Sequence, residues 1–150
     1  MAIFEVVIRR DGEPVHEVLR PHGGPNVLDA GAELVVRLRD LRERLKANAD
    51  PHAGCDSVFV GKIASGEIYN QHPVECRVHG TRRWITPGTV EAARADFYAL
   101  LSELARATQT TITADFAVQG DAFRIEASDP LVTAFQSAHA AVSGATLPLG

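Results

Sequence analysis

Six histidines are spread along the chain: His16, His22, His52, His72, His79 and His139. A metal that activates water needs several His and carboxylate ligands close together and one open position. The chain contains no His-x-Asp and no Glu-Glu pair, nor a Walker loop, a Gly-x-Ser-x-Gly elbow or an HExxH helix. What is left is a set of residues suited to binding. His16 follows an extended segment, where a single histidine is most often a surface residue or one bonded locally. Asn70, in the run Tyr69-Asn70-Gln71-His72-Pro73, reads on its own as a turn residue. Arg83, after Arg82 and before Trp84, is either a cation stacked on the indole or a fork for a carboxylate. A guanidinium pairs two oxygens at once and keeps its charge at any working pH. The other five histidines are expected to be surface or locally bonded residues.

The elements that must position these residues follow from periodicity. From Ile3 to Arg10 apolar residues alternate, with Phe4, Val6 and Ile8 on one face, which predicts a strand. Asp11-Gly12 marks a turn, Val15 to Val18 continues extended, and Pro21 to Pro25 is a loop by composition. Asn26 is placed to cap a helix reaching Lys46, with a stripe of Leu28, Gly31, Leu34, Val35, Leu38, Leu41 and Leu45. Asp50-Pro51 and Gly54 stop it. A second strand is predicted from Ser57 to Ala64 and a third from Val74 to Arg82, the latter with Val74, Cys76 and Val78 facing inward. A second helix follows Pro87-Gly88-Thr89 through Val90, Ala93, Phe97, Leu100, Leu101 and Leu104. A fourth strand runs from Thr110 to Val118. Asp129-Pro130 opens a third helix carrying Leu131, Phe135 and Val142. The order βαββαβ predicts an α+β, ferredoxin-like sandwich: a four-stranded antiparallel sheet with two helices on one face, plus an extra C-terminal helix.

Composition excludes several classes. The net charge of −4 is too mild for a nucleic-acid partner, and 45% hydrophobic residues suits an ordinary globular domain. Arg37, Arg39, Arg42, Arg44 and Lys46 form a basic cluster, but Glu33, Asp40 and Glu43 are interleaved, which predicts a solvated helix face. No apolar run approaches the ~18 residues needed to span a bilayer, and the first residues lack a signal-peptide pattern, so no membrane partner is expected. Cys55 and Cys76 do not form a CxxC pair. Both are read as reduced and structural, in a cytoplasmic chain.

The run from Gly66 through Asn70 and Pro73, a strand, then Arg82-Arg83-Trp84 and Pro87-Gly88 resembles the lid domain of one enzyme family. That family comprises the zinc-dependent aminoacylases, acetylornithine deacetylases, succinyl-diaminopimelate desuccinylases and dimeric carboxypeptidases. Gly12-Glu-Pro-Val-His16, Arg20-Pro21 and Pro25-Asn26-Val27 match the order in which that lid opens. The resemblance covers nearly the whole chain and is closest to the deacetylase/desuccinylase branch.

The resemblance implies that residues 1–128 are a lid and dimerisation domain. Residues 129–150 would then lead back to a catalytic domain that this chain lacks. It implies hydrolysis of N-acyl or N-carbamoyl amino acids by the intact enzyme, with zinc (or cobalt) held in that missing domain and no cofactor in this chain. His16 would reach into the partner subunit's site and donate to the oxyanion. Asn70 and Arg83 would bind the substrate, Arg83 through its carboxylate, with Arg82 a bystander. A homodimer is expected through the strand Ser57 to Ala64, an unprotected sheet edge, and the helix Asn26 to Lys46. The competing expectation is a free-standing ferredoxin-like module that binds a small acidic ligand without catalysis.

Overall fold

Alternation in the first strand sets the layers. In the computed structural model, which describes residues 1–20 and 22–149, Ala2, Phe4, Val6 and Ile8 are at most 1% exposed, whereas Ile3 between them is 48% exposed. Pro21, part of the loop and of the Arg20-Pro21 match, lies outside the described residues. In chain order the elements are β1 (Ala2–Arg9), β2 (Val15–His16), α1 (Val27–Leu45), β3 (Ala49–Asp50), β4 (Gly54–Cys55) and β5 (Ser57–Ser65). These are followed by β6 (Gln71–His72), β7 (Glu75–Arg83), α2 (Val90–Thr108), β8 (Thr111–Val118) and α3 (Pro130–Ser143). A 3-10 turn, Glu17–Leu19, follows β2.

The main sheet runs in the order β5-β7-β1-β8 with every neighbouring pair antiparallel. This is the predicted ferredoxin-like arrangement, with β5 at an edge. Helices α1 and α2 cover the face that carries Phe4, Val6, Cys76 and Val78. Phe97 of α2 lies 4.9 Å from the Phe4 ring and 5.3 Å from the Phe116 ring, joining the helix to β1 and to the edge strand β8. Burying one such ring contributes roughly 1.5–3 kcal/mol.

Close approach of α1 depends on Gly31. A Cβ there would stand 2.5 Å from Cys76 Sγ, so any side chain pushes the helix off β7. Asn26 caps α1 as expected, its Oδ1 accepting from Leu28 N–H at 3.0 Å. The buried stripe, however, starts at Val27 and Ala30; Leu28 is 49% exposed because it lies one position round the helix. The charged face pairs within itself, Arg37 with Glu33 at 2.9 Å and Lys46 with Glu43 at 2.6 Å.

Two further readings are corrected. Val18 lies in the 3-10 turn, not in extended chain. After α1 the chain forms a short β3–β4 hairpin, closed by Asp50, whose carboxylate accepts from His52 N–H and Ala53 N–H and pairs with Arg124. The two backbone donors and then the Arg124 guanidinium hold that carboxyl down to about 2. Trp84 is not an open face for Arg83. It is 5% exposed, and its indole N–H donates to Asp121 at 2.6 Å. Beyond β8, α3 is capped by Asp129 but buries no residue; Leu131, Phe135 and Val142 are 64–91% exposed.

Candidate functional site

The residues singled out for binding divide between the two ends of β7. At its start, β2 and β6 form a two-stranded ribbon in which Val15 opposes His72 and His16 opposes Gln71. Two-residue strands cannot hold themselves together, and the ribbon is secured by backbone and by one arginine. Glu17 N–H donates to the Asn70 carbonyl at 2.9 Å. Arg10 donates to four carbonyls: Asp11 at 2.8 Å, Glu13 at 3.0 Å, His72 at 2.9 Å and Pro73 at 2.9 Å. The guanidinium thus ties the end of β1 to β6. Sequence reading missed Arg10, because a charged residue after an apolar strand carries no signal of what it grips.

The ribbon brings His16 and Asn70 together. The Asn70 side-chain Nδ2 lies 3.0 Å from His16 Nε2, across 54 positions of sequence. His16 Nδ1 lies 3.4 Å from Val18 N–H and caps the 3-10 turn. His16 is exposed, so this imidazole is ordered by polar contacts and still open to a ligand.

His72 departs from the expectation of a surface or locally bonded ring. It is 6% exposed, and neither ring nitrogen has a hydrogen-bond partner among the described residues. Burial first, then the cations of Arg10 and Arg20, push its pKa below the ordinary value, with Asp29 acting the other way. Its backbone does the positioning, since its carbonyl takes an Arg10 bond. Beside it an open cleft of about 400 Å³ is lined by Arg20, His22, Asn26 and Tyr69.

At the far end of β7, Arg82 and Arg83 point to opposite faces. Arg82 is 3% exposed and pairs with Asp56 at 3.4 Å, and Asp56 also accepts from Ile85 N–H at 2.9 Å. Arg82 is therefore structural, not a bystander. Arg83 is exposed on the open sheet face, and its guanidinium makes no hydrogen bond among the described residues. Buried Arg82 and Trp84 on either side fix the backbone that presents it. Eight residue steps of about 3.3 Å separate the ends of β7, so Arg83 stands roughly 26 Å from the ribbon. The structure brings His16 to Asn70 and keeps both away from Arg83 of the same chain.

Among the described residues no three His, Cys, Asp or Glu side chains come together in a way that could hold a metal. The donors do not fit a zinc or cobalt centre, and no chemistry is assigned to a metal within these residues. Nor is any helix among them long and apolar enough to cross a membrane.

No protein-family model matches the chain, and no curated protein sequence matches it. Solved structures do. Aminopeptidase PepT from Bacillus cereus superposes over 95% of this chain with a TM-score of 0.72 and 16% identity. A hydantoinase/carbamoylase family amidase from Burkholderia ambifaria covers 99% with a TM-score of 0.69, also at 16% identity. A tripeptidase from Staphylococcus aureus covers 94% with a TM-score of 0.67 and 14% identity. The shared feature is the fold. The chain spans about a third of the length of these structures, 35% of each of the three.

With that fold, the surface offers two kinds of binding group. At one end is an imidazole ordered by an amide, able to donate to an oxygen that gains charge. At the other is an exposed guanidinium suited to a carboxylate.

Proposed function

We propose that the chain is the lid and dimerisation domain of a metal-dependent amidohydrolase acting on N-acyl or N-carbamoyl amino acids, of deacetylase or desuccinylase type. The observation that carries the reading is the placement of the His16–Asn70 pair and of Arg83 at opposite ends of β7. One small substrate cannot touch both ends of a single chain. A two-fold pairing of β5 edges removes the difficulty. It runs the second sheet the other way, so the Arg83 end of one chain lies on the same side as the ribbon of its partner. The separation falls to three inter-strand steps of about 4.8 Å each.

The edge is suited to that pairing. Phe59 and Ile63 on β5 are 60% and 43% exposed, and Leu28 and Val36 of the neighbouring α1 are 49% and 39% exposed. In the assembled site His16 of one chain donates to the developing oxyanion and Arg83 of the other holds the substrate carboxylate. The metal, zinc or cobalt, belongs to a catalytic part outside these residues, and α3 leads towards it. The unpaired thiols of Cys55 and Cys76 suit a cytoplasmic setting.

The test is turnover of N-acetyl, N-succinyl and N-carbamoyl amino acids by the full polypeptide containing these residues. His16→Ala should lower kcat by about 10²–10³, the effect of removing one oxyanion donor. Binding of the same compounds without turnover would replace this reading with the non-catalytic module.

A further inference from the structure

Both ring nitrogens of His16 are engaged, and together the two contacts decide where its proton sits. A neutral imidazole has one N–H and one lone-pair nitrogen. The backbone N–H of Val18, 3.4 Å from Nδ1, can only donate. Nδ1 must therefore be the lone-pair nitrogen, and the proton lies on Nε2. Asn70 sets its amide nitrogen, Nδ2, 3.0 Å from Nε2; one donor cannot face another there, so the amide belongs the other way round, with Oδ1 towards that N–H. A half-turn of the amide exchanges its oxygen and nitrogen, and the surrounding bonds determine which end faces the ring. The opposite arrangement, with Asn70 donating, puts the proton on Nδ1 and sets two donors against each other at Val18. The Val18 bond is long, but the alternative at that spot is a repulsion.

We infer that Asn70 is a positioning residue for His16: its side-chain oxygen holds the Nε2–H tautomer and aims that donor until a substrate oxyanion takes its place. The inference rests on the oxyanion role proposed for His16. It assigns Asn70 a task other than the substrate contact implied by resemblance. The backbone supports it, because Glu17 N–H bonds the Asn70 carbonyl at 2.9 Å and fixes the residue's distance from the ring. Exchange of partners is favourable, since a charged acceptor forms a bond roughly twice as strong as a neutral amide oxygen does. The same N–H serves both partners, so the donor is already formed and aimed when the substrate arrives.

The experiment is nitrogen NMR of the histidine rings in this chain, at a pH where imidazole is neutral, for the wild type, Asn70→Asp and Asn70→Ala. Aspartate can only accept, so it separates the two amide orientations. The expected result is a proton on His16 Nε2 in the wild type, kept in Asn70→Asp. In Asn70→Ala that proton should exchange with water at least about tenfold faster. Three outcomes overturn the inference: a proton on Nδ1 in the wild type, a ring in Asn70→Asp that behaves as in Asn70→Ala, or unchanged exchange in Asn70→Ala. Backbone spectra report whether each variant keeps its fold. Failure of the oxyanion role itself would appear separately, as unchanged turnover in His16→Ala.

Discussion

Arg10 donates to the carbonyl of His72 at 2.9 Å, so the last turn of chain after β1 grips the strand that follows Asn70. Its bonds to Pro73 and Glu13 extend the grip to both sides of the ribbon. The candidate site at this end is thus held by one guanidinium and a few backbone bonds, with no hydrophobic core of its own.

Arg10→Met should therefore loosen the ribbon while sparing the sheet. Loss of charge-assisted bonds to part-buried carbonyls costs about 1–3 kcal/mol locally. Amide exchange at Glu17, which donates to Asn70, should quicken strongly, with α1 amides little changed. Equal protection in both proteins would show that something else holds the ribbon.

His72 makes stability depend on pH. Its folded-state pKa is below the ordinary 6.5, with burial the main cause, so the unfolded chain binds the proton more readily. Stability is full above about pH 6.5 and falls as the pH drops from there towards the folded-state value. His72→Val should remove this slope and raise stability by about 1 kcal/mol, since an unpaired buried polar group is replaced by an apolar one. Denaturation midpoints between pH 5 and 8 measure it. An unchanged slope in His72→Val would assign the effect to another group.

Arg82 and Arg83 should respond oppositely to the same change. Arg82→Lys weakens a buried pair with Asp56 and should cost about 1–3 kcal/mol of stability. Arg83→Lys should stay within about 0.5 kcal/mol in folding, as exposed substitutions do. If the full polypeptide is the enzyme proposed above, Arg83→Lys should lower its kcat/KM by tens-fold or more, because lysine lacks the planar fork. Thermal melts and kinetics on both variants separate a structural arginine from a substrate clamp.

If two chains pair through the β5 edge as proposed, charge placed there should separate them. Ile63 is 43% exposed at the β5 edge, and its Cδ1 would stand 3.2 Å from a Cβ placed on Gly31 of α1. Ile63→Lys should shift the mass measured by light scattering towards monomer. A persistent dimer would place the interface on another surface.

Much of the scaffold was legible in the sequence because alternation and three- and four-residue spacing report burial directly. Phe4, Val6 and Ile8 announced β1, and Asn26 its helix start. The ribbon was not legible, since two-residue strands have no period and their hold comes from Arg10, distant in sequence. His72 and Trp84 misled for a related reason. Polar and amphipathic residues flanking strand ends read as surface, and only the tertiary structure buries them. Asn70 and Arg83 share one resemblance in the sequence, but strand length parts them. The thirteen positions from one to the other take in the whole of β7, and that spacing could not reveal that His16 is Asn70's neighbour.

The most direct test of the account mixes two impaired variants, His16→Ala and Arg83→Ala, in the full polypeptide. If each site takes His16 from one chain and Arg83 from the other, a mixed dimer contains one intact site and one doubly defective site. Random reassortment of an equal mixture should then restore about a quarter of wild-type turnover, since half the dimers are mixed and half their sites are whole. Were both residues drawn from the same chain, each site in the mixed dimer would keep one defect, and turnover would stay at the level of the separate variants. That result would contradict the shared site.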